Sequence, residues 1–222
     1  MTVPGFNGVI DISHHNTVSS IARIKGAGIV AVIHKATEGV RLDWRDKEYP
    51  GRRKKFKDAG FLWGSYHFSS GDDPMVQFQN YVSYAEPTED EVICLDFEPS
   101  SRGRNMTYEQ MLEFVELAQE HFGRYPMIYG GSMLREVLRG ITQSPLSQCP
   151  LWYARYFSAP VGVPPIWGAK TWTLWQYTDG NAGPQPQTVS GIGNCDRDTF
   201  NGTQAQLQQN WPFAAGQPFV GV

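Results

Sequence analysis

Along the first 140 residues, short apolar runs alternate with helical stretches. Gly8-Val9-Ile10-Asp11-Ile12-Ser13 reads as a first strand and Ser19 to Ala27 as a helix. Ile29 to Lys35 is a second strand, nearly continuous in apolar residues as a buried parallel strand should be. Lys47 to Ala59 predicts a helix, Phe61 to Phe68 a third strand, and Pro74 to Tyr84 a helix with proline acceptable in its first turn. Glu91 to Phe97 is a fourth strand. Thr107 to Phe122 is a helix whose Thr107 and Gln110 stand at capping-box spacing. Pro126 to Gly130 and Ser132 to Leu138 complete a fifth strand–helix unit.

After Gly140 the rhythm changes. Leu151 to Tyr156, Thr171 to Tyr177 and Asn194 to Phe200 read as strands joined by loops rich in Pro and Gly. The pattern is that of an α/β chain, five β/α units followed by three β-strands. Strand–helix repeats imply a parallel sheet with right-handed crossovers, either a barrel or a doubly wound sheet, and eight strands suit closure into an incomplete TIM-like barrel. Residues 1–211 are expected to form one domain, with 212–222 as a loosely packed tail.

The 222 residues are 41% hydrophobic and 18% charged, enough for a sizeable core. The formal net charge of -3 argues against nucleic acid as the main partner. The basic run Arg52-Arg53-Lys54-Lys55-Phe56-Lys57 reads as a solvated helix face. Cys94, Cys149 and Cys195 make an odd count without metal-like spacing, so neither a disulfide framework nor a metal site is expected. No apolar run is long enough for a membrane span. The N-terminal residues lack the basic and apolar regions of a signal peptide, which implies synthesis in the cytoplasm. A monomer is the default.

The candidate chemistry centres on Leu95-Asp96-Phe97-Glu98-Pro99. Residues i and i+2 of a strand share a face, so Asp96 and Glu98 point together and Phe97 away. Burying two carboxylates side by side is costly unless they are paired or put to use. Paired carboxylates are the working parts of glycosidases. The alternative is a strand end whose acids cap a helix or meet an arginine. Other polar residues also gather late in the strands: Asp11 and Ser13, His34 and Lys35, Tyr66 and His67, Tyr129, Gln176 and Tyr177, and Asp196. In a parallel barrel these ends meet at one mouth. The first and last strands become neighbours on closure, which brings Asp11 toward Asp196.

Six segments carry a resemblance to glycoside hydrolase family 25, the Chalaropsis-type lysozymes. They are Gly8 to Asn16, Lys35-Ala36-Thr37-Glu38-Gly39, Gly64-Ser65-Tyr66-His67-Phe68, Leu95 to Glu98, Trp175-Gln176-Tyr177 and Asn194-Cys195-Asp196-Arg197-Asp198. The last departs from the family pattern: Asp198 stands where Asn is usual and Cys195 where Val is, leaving open which acid faces the cleft. The resemblance implies hydrolysis of the β-1,4 bond between N-acetylmuramic acid and N-acetylglucosamine in bacterial cell wall peptidoglycan, without metal or cofactor. It also suggests an endolysin that reaches the wall by holin-type release.

On this reading Glu98 is the general acid, and its pKa must be raised. Asp96 is expected to stay ionised and assist, whether by orienting the substrate's N-acetyl group, as nucleophile or as base. Asp11 and Asp196 are second partners, unless they merely pair with Lys35 or Arg155. Tyr66, His67, Tyr129, Trp152, Gln176, Tyr177, Lys35 and Glu38 are candidate substrate contacts, although a histidine placed like His67 is more often a satisfied core residue. Trp175 is a further stacking candidate, and His14 and His15 a cleft rim. Two rivals remain. A chitinase would carry further acids where Val92 and Cys94 stand, and a non-catalytic glycan-binding barrel would be expected to lose the acid.

Overall fold

A computed structural model describes residues 3–100, 102–168 and 171–214. Five β/α units come first: β1 (Phe6–Ile12) and α1 (Ile21–Gly26), β2 (Ala31–Glu38) and α2 (Tyr49–Asp58), β3 (Leu62–Phe68) and α3 (Pro74–Ala85), β4 (Val92–Asp96) and α4 (Tyr108–Phe122), β5 (Met127–Gly130) and α5 (Ser132–Val137). Then follow β6 (Leu151–Ala154), β7 (Leu174–Thr178), a hairpin of β8 (Thr188–Val189) and β9 (Gly193–Asn194), β10 (Asp196–Phe200) and α6 (Gln204–Asn210). The barrel closes in the order β1-β10-β7-β6-β5-β4-β3-β2, with the hairpin outside it. The expected α/β barrel is therefore the one observed.

One strand runs the other way. β10 is antiparallel to both β1 and β7, whereas the other neighbours pair in parallel. Asp196 accordingly lies at the start of its strand, not late in it as the parallel reading expects. The reversal still puts it at the mouth, where its Cα is paired with that of Asp11.

The strands alternate between two cores. Outward residues such as Ile10, Val32, Trp63, Ile93, Leu95 and Trp175 pack under the helices. Inward residues fill the barrel: Val9, Ile33, Val92, Cys94, Met127, Trp152, Leu174 and Phe200. Along most inward faces, β6 with Trp152 and Ala154 excepted, the chain turns from apolar to polar toward one end. Val9 gives way to Asp11, Ile33 to Lys35, Cys94 to Asp96, Met127 to Tyr129 and Leu174 to Gln176. In β10 the order is reversed, Asp196 and Asp198 preceding Phe200, because the strand descends. A dry floor below a polar mouth follows from this single gradient. Val92 and Cys94, where a chitinase would carry acids, belong to the dry part.

Local signals fix the helix ends. The Thr107–Gln110 capping box is formed in both directions, at 3.2 and 3.0 Å. Asp73 caps α3 through Met75 N–H at 2.8 Å, with Pro74 at the first helical position. α6 is an element that the strand pattern misses, although Thr203 and Gln206 form a second capping box before it. Phe213 stacks on Phe200 at 5.8 Å and is buried, so the start of the expected loose tail is packed, while 215–222 lie outside the described residues.

The basic run on α2 is only partly a solvated face. Arg52 is buried and donates to the carbonyls of Ser13 and Asn16, both at 2.7 Å, fastening the loop after β1. Arg53 and Lys57 pair with the buried Glu91 at 2.9 and 2.5 Å. Lys54 and Lys55 face solvent.

Candidate active site

The polar ends of the inward faces enclose a cleft of about 340 Å³. Asp11, Lys35, Glu38, Tyr66, Asp96, Glu98, Tyr129, Trp152, Gln176 and Asp196 all line it. Ten of the twelve residues singled out from the sequence are thus brought together, as is His15 at the rim.

His67 and Tyr177 do not reach it. His67 sits between Thr37 Oγ1 at 2.8 Å and Gln77 Oε1 at 3.2 Å, stacked on Phe114. Burial lowers its pKa to about 4, so it is a neutral core histidine. Nε2–H donates to Gln77, which leaves Nδ1 to accept from Thr37. Tyr177 points outward, donating to the Pro186 carbonyl at 2.9 Å and accepting from Asn7 Nδ2 at 2.8 Å. Trp175 is also outward, donating to the Arg155 carbonyl at 2.7 Å. Strand periodicity is the reason, since each is one residue from an inward neighbour, Tyr66 or Gln176.

Gln176 joins the walls. Its Nε2 donates to Asp11 Oδ2 at 2.8 Å, and its Oε1 accepts from the hydroxyls of Tyr129 at 2.7 Å and Tyr156 at 2.8 Å. Trp152 packs edge-on to Tyr129 and Tyr66, with ring centroids 4.6 and 6.4 Å apart, and donates through Nε1 to Asp198 Oδ1 at 2.6 Å. The mouth's one lysine, Lys35, is held by Glu38 at 2.6 Å, and Arg102 approaches the other Glu38 oxygen at 3.5 Å. Lys35 is therefore not a tie for Asp11 or Asp196, and Arg155 stacks on Phe157 at 4.0 Å instead.

Tyr156, Arg102 and Phe68 line the cleft but escape the sequence reading. Tyr156 ends the run Leu151 to Tyr156 and Phe68 ends the third strand, so both had a positional signal. Arg102 stands in a loop and had none.

Burial sets the electrostatics. It raises the Glu98 carboxyl above its ordinary value. Asp96 is pushed well above the carboxylate range by burial and then by the Glu98 charge, with Lys35 pulling the other way. Burial and the facing carboxyl thus work against ionising both acids at once, and the two titrate as a pair. Asp11 is raised by burial and by the charges of Asp196 and Asp198, and Asp196 is raised to about 7 by burial, Asp179 and Glu98. Asp196 faces the cleft, while Asp198 lies fully buried beneath it. Among the described residues no group of His, Cys, Asp and Glu is arranged to hold a metal ion.

A coupled acid pair with raised pKa values, set at the mouth of a barrel between aromatic walls, is the equipment of an enzyme that hydrolyses glycosidic bonds. Comparison with known proteins agrees. Residues 10–185 match the glycosyl hydrolases family 25. Lysozyme M1 of Streptomyces globisporus is 26% identical over 215 residues, covering 89% of this chain and 69% of that protein. The muramidase from Trichobolus zukalii superposes with a TM-score of 0.76 at 28% identity, covering 97% of this chain and all of that one (100%). The bacterial lysozyme from Streptomyces coelicolor does so at 0.79 and 26%, covering 96% and 100%. The chain belongs to glycosyl hydrolases family 25 and is a glycoside hydrolase.

Proposed function

We propose that this enzyme cleaves the β-1,4 bond between N-acetylmuramic acid and N-acetylglucosamine in peptidoglycan, with Glu98 as general acid and Asp96 assisting. The observation that carries the assignment is the Asp96–Glu98 pair itself. Asp96 is buried at the end of β4, and Glu98 stands two residues on, partly exposed to the cleft. Hydrolysis requires one proton to give to the leaving oxygen and one negative charge opposite the positive charge that develops at the anomeric carbon. A coupled pair holding a single proton supplies both.

Asp96 Oδ1 is buried and has no hydrogen-bond partner among the described residues. Such an acceptor calls for a donor, and the amide N–H of an N-acetyl group is one. Held there, the group turns its carbonyl oxygen toward the anomeric carbon. That oxygen attacks as the glycosidic bond breaks and Glu98 protonates the departing oxygen; water then opens the cyclic intermediate. Trp152 and Tyr66 offer apolar faces to the sugar rings. Asp11, Asp196 and the hydroxyls of Tyr129 and Tyr156 offer hydrogen bonds. The wider role we propose is lysis of the bacterial wall after holin-type release from the cytoplasm. Among the described residues no helix is long and apolar enough to cross a membrane. Lysis of expressing cells only when a holin is co-expressed would support that role.

Wild type and Glu98→Gln are incubated with purified peptidoglycan, and new reducing ends are identified by mass spectrometry. The expected result is reducing N-acetylmuramic acid from wild type and a loss of roughly 10²–10⁴-fold or more in the variant. Reducing N-acetylglucosamine would overturn the bond assignment. Binding without cleavage by wild type would favour a glycan-binding barrel.

A further inference from the structure

Asp198 stands where the family resemblance expects Asn, and nothing in the proposed mechanism uses it. Its surroundings are unusual for an acid. It lies inside the barrel on the same face of β10 as Asp196, its Cα opposite Val9 of β1 and Gln176 of β7, and its side chain is fully shielded from solvent. One oxygen, Oδ1, accepts the short bond from Trp152 Nε1. The other, Oδ2, is buried with no hydrogen-bond partner among the described residues, and the acid that interacts with the Asp198 side chain from β1 is Asp11.

Two ionised carboxylates have no hydrogen to place between them. If both were charged, Asp198 Oδ2 would be a buried acceptor with no donor and would repel Asp11 in a dry interior. One proton removes both costs. An Asn at 198 would do the same job with its amide N–H.

We propose that Asp11 and Asp198 hold one proton between them, and that Asp198 in this state is the positioning residue that aims Asp11 at the substrate. The second part rests on the muramidase reading; the first does not.

The neighbours on every side fit this assignment. On β10, Asp196 adds negative charge from above and interacts with the Asp11 side chain from the cleft side, while Arg197 turns to the other face and donates to the Thr188 carbonyl at 2.8 Å. β7 presents Gln176 and β6 presents Trp152, neither of which titrates. On β4, burial pushes the Cys94 thiol well up, so it stays neutral. The opposing charge of Arg197 favours ionised Asp198 only as the least of the causes acting on it. Burial is the first cause that raises Asp198, to about 8, ahead of the Asp196 charge.

The sign of the pH effect follows. In the unfolded chain both acids lose their protons near the ordinary value of 3.8. The folded pair keeps a proton to much higher pH. Between these limits the folded state binds more protons, so folding stability falls as pH rises, tenfold in the equilibrium constant per pH unit for each excess proton.

The test measures the unfolding equilibrium from about pH 5 to about pH 8 for wild type, Asp198→Asn and Asp11→Asn. Each variant is expected to show a slope shallower by about one proton, and the double variant little further change. Slopes equal to wild type would overturn the shared proton, whatever the enzyme cleaves.

Activity on peptidoglycan tests the positioning role. Asp198→Ala should lose roughly tenfold to a hundredfold in kcat/KM. Asp198→Asn should restore much of that at pH 6, and its activity relative to wild type should rise with pH, because the alkaline fall from the Asp96–Glu98 pair is common to both while wild type also loses the Asp11–Asp198 proton. An Asp198→Asn variant no better than Asp198→Ala, or one whose ratio to wild type is constant with pH, would show that Asp198 does not position Asp11 through a proton. A flat slope difference together with normal cleavage would reject this proposal and leave the muramidase reading standing.

Discussion

Replacing Gln176 by Met tests the idea that one neutral side chain ties the cleft walls together. The two side chains are of similar length, and Gln176 is 2% exposed, so the change leaves little room and mainly removes polar atoms. Three partners are stranded: Asp11 Oδ2 loses its donor, and the hydroxyls of Tyr129 and Tyr156 lose their acceptor. Asp11 and Tyr129 are each only 6% exposed, so water in the cleft replaces little of what they lose, whereas Tyr156 is only partly buried. A buried polar group left without a partner costs about 1–3 kcal/mol. Two such groups give about 2–6 kcal/mol, and sparing the amide its own desolvation brings this to about 2–5 kcal/mol. Against a total stability of about 5–15 kcal/mol that is a large loss. It is measured by urea unfolding at fixed pH, and the shift must come from the midpoint with an unchanged m-value. Gln176→Glu is the informative companion. It keeps both acceptors but sets another carboxyl against Asp11, so its cost should grow with pH more steeply than that of Met, which only removes the donor that favours ionised Asp11. A Met variant within about 0.5 kcal/mol of wild type would falsify the network account, because no other residue takes up these three bonds.

The Glu98 assignment predicts a kcat/KM that falls as pH rises through the raised pKa of the Asp96–Glu98 pair. Lys35→Met removes the cation that favours ionised Asp96, so the alkaline limb should move to higher pH; a pH–rate profile shifted downward would contradict this. Gly64→Ala places a Cβ 2.8 Å from Val92 Cβ and 3.3 Å from Ile33 Cγ1 in the packed barrel. Its expected cost of about 1–3 kcal/mol should appear as a fall of roughly 2–4 °C in Tm per kcal/mol. Cys94, Cys149 and Cys195 are 1%, 2% and 2% exposed, so a thiol reagent should label none of them in the native protein and all after denaturation.

The short apolar runs, the helix caps and the change of rhythm after Gly140 were enough to read five β/α units and three later strands. Period-2 spacing alone placed Asp96 and Glu98 on one face. These are local properties, decided by neighbours a few residues away. α6 is a local feature too, marked by the Thr203–Gln206 capping box that opens it.

Other features were settled only by the closed barrel. Alternation says that Tyr66 and His67 face opposite ways; only the sheet's curvature says which of them looks inward, and His67 and Tyr177 fell on the helix side. The direction of β10 depends on the path of the long link from Thr178 to Asp196, which no local pattern encodes. That path sets Asp196 beside Asp11 and buries Asp198 beneath it. Gln176 became the hub of the site because closure brought Asp11, Tyr129 and Tyr156 within reach of one amide, from strands as far as 165 residues apart. The acidity of the cleft has the same origin. A carboxyl's intrinsic chemistry is fixed by its residue type, but the water around it and the charges facing it are fixed by residues distant in the chain, and these decide where the protons stay.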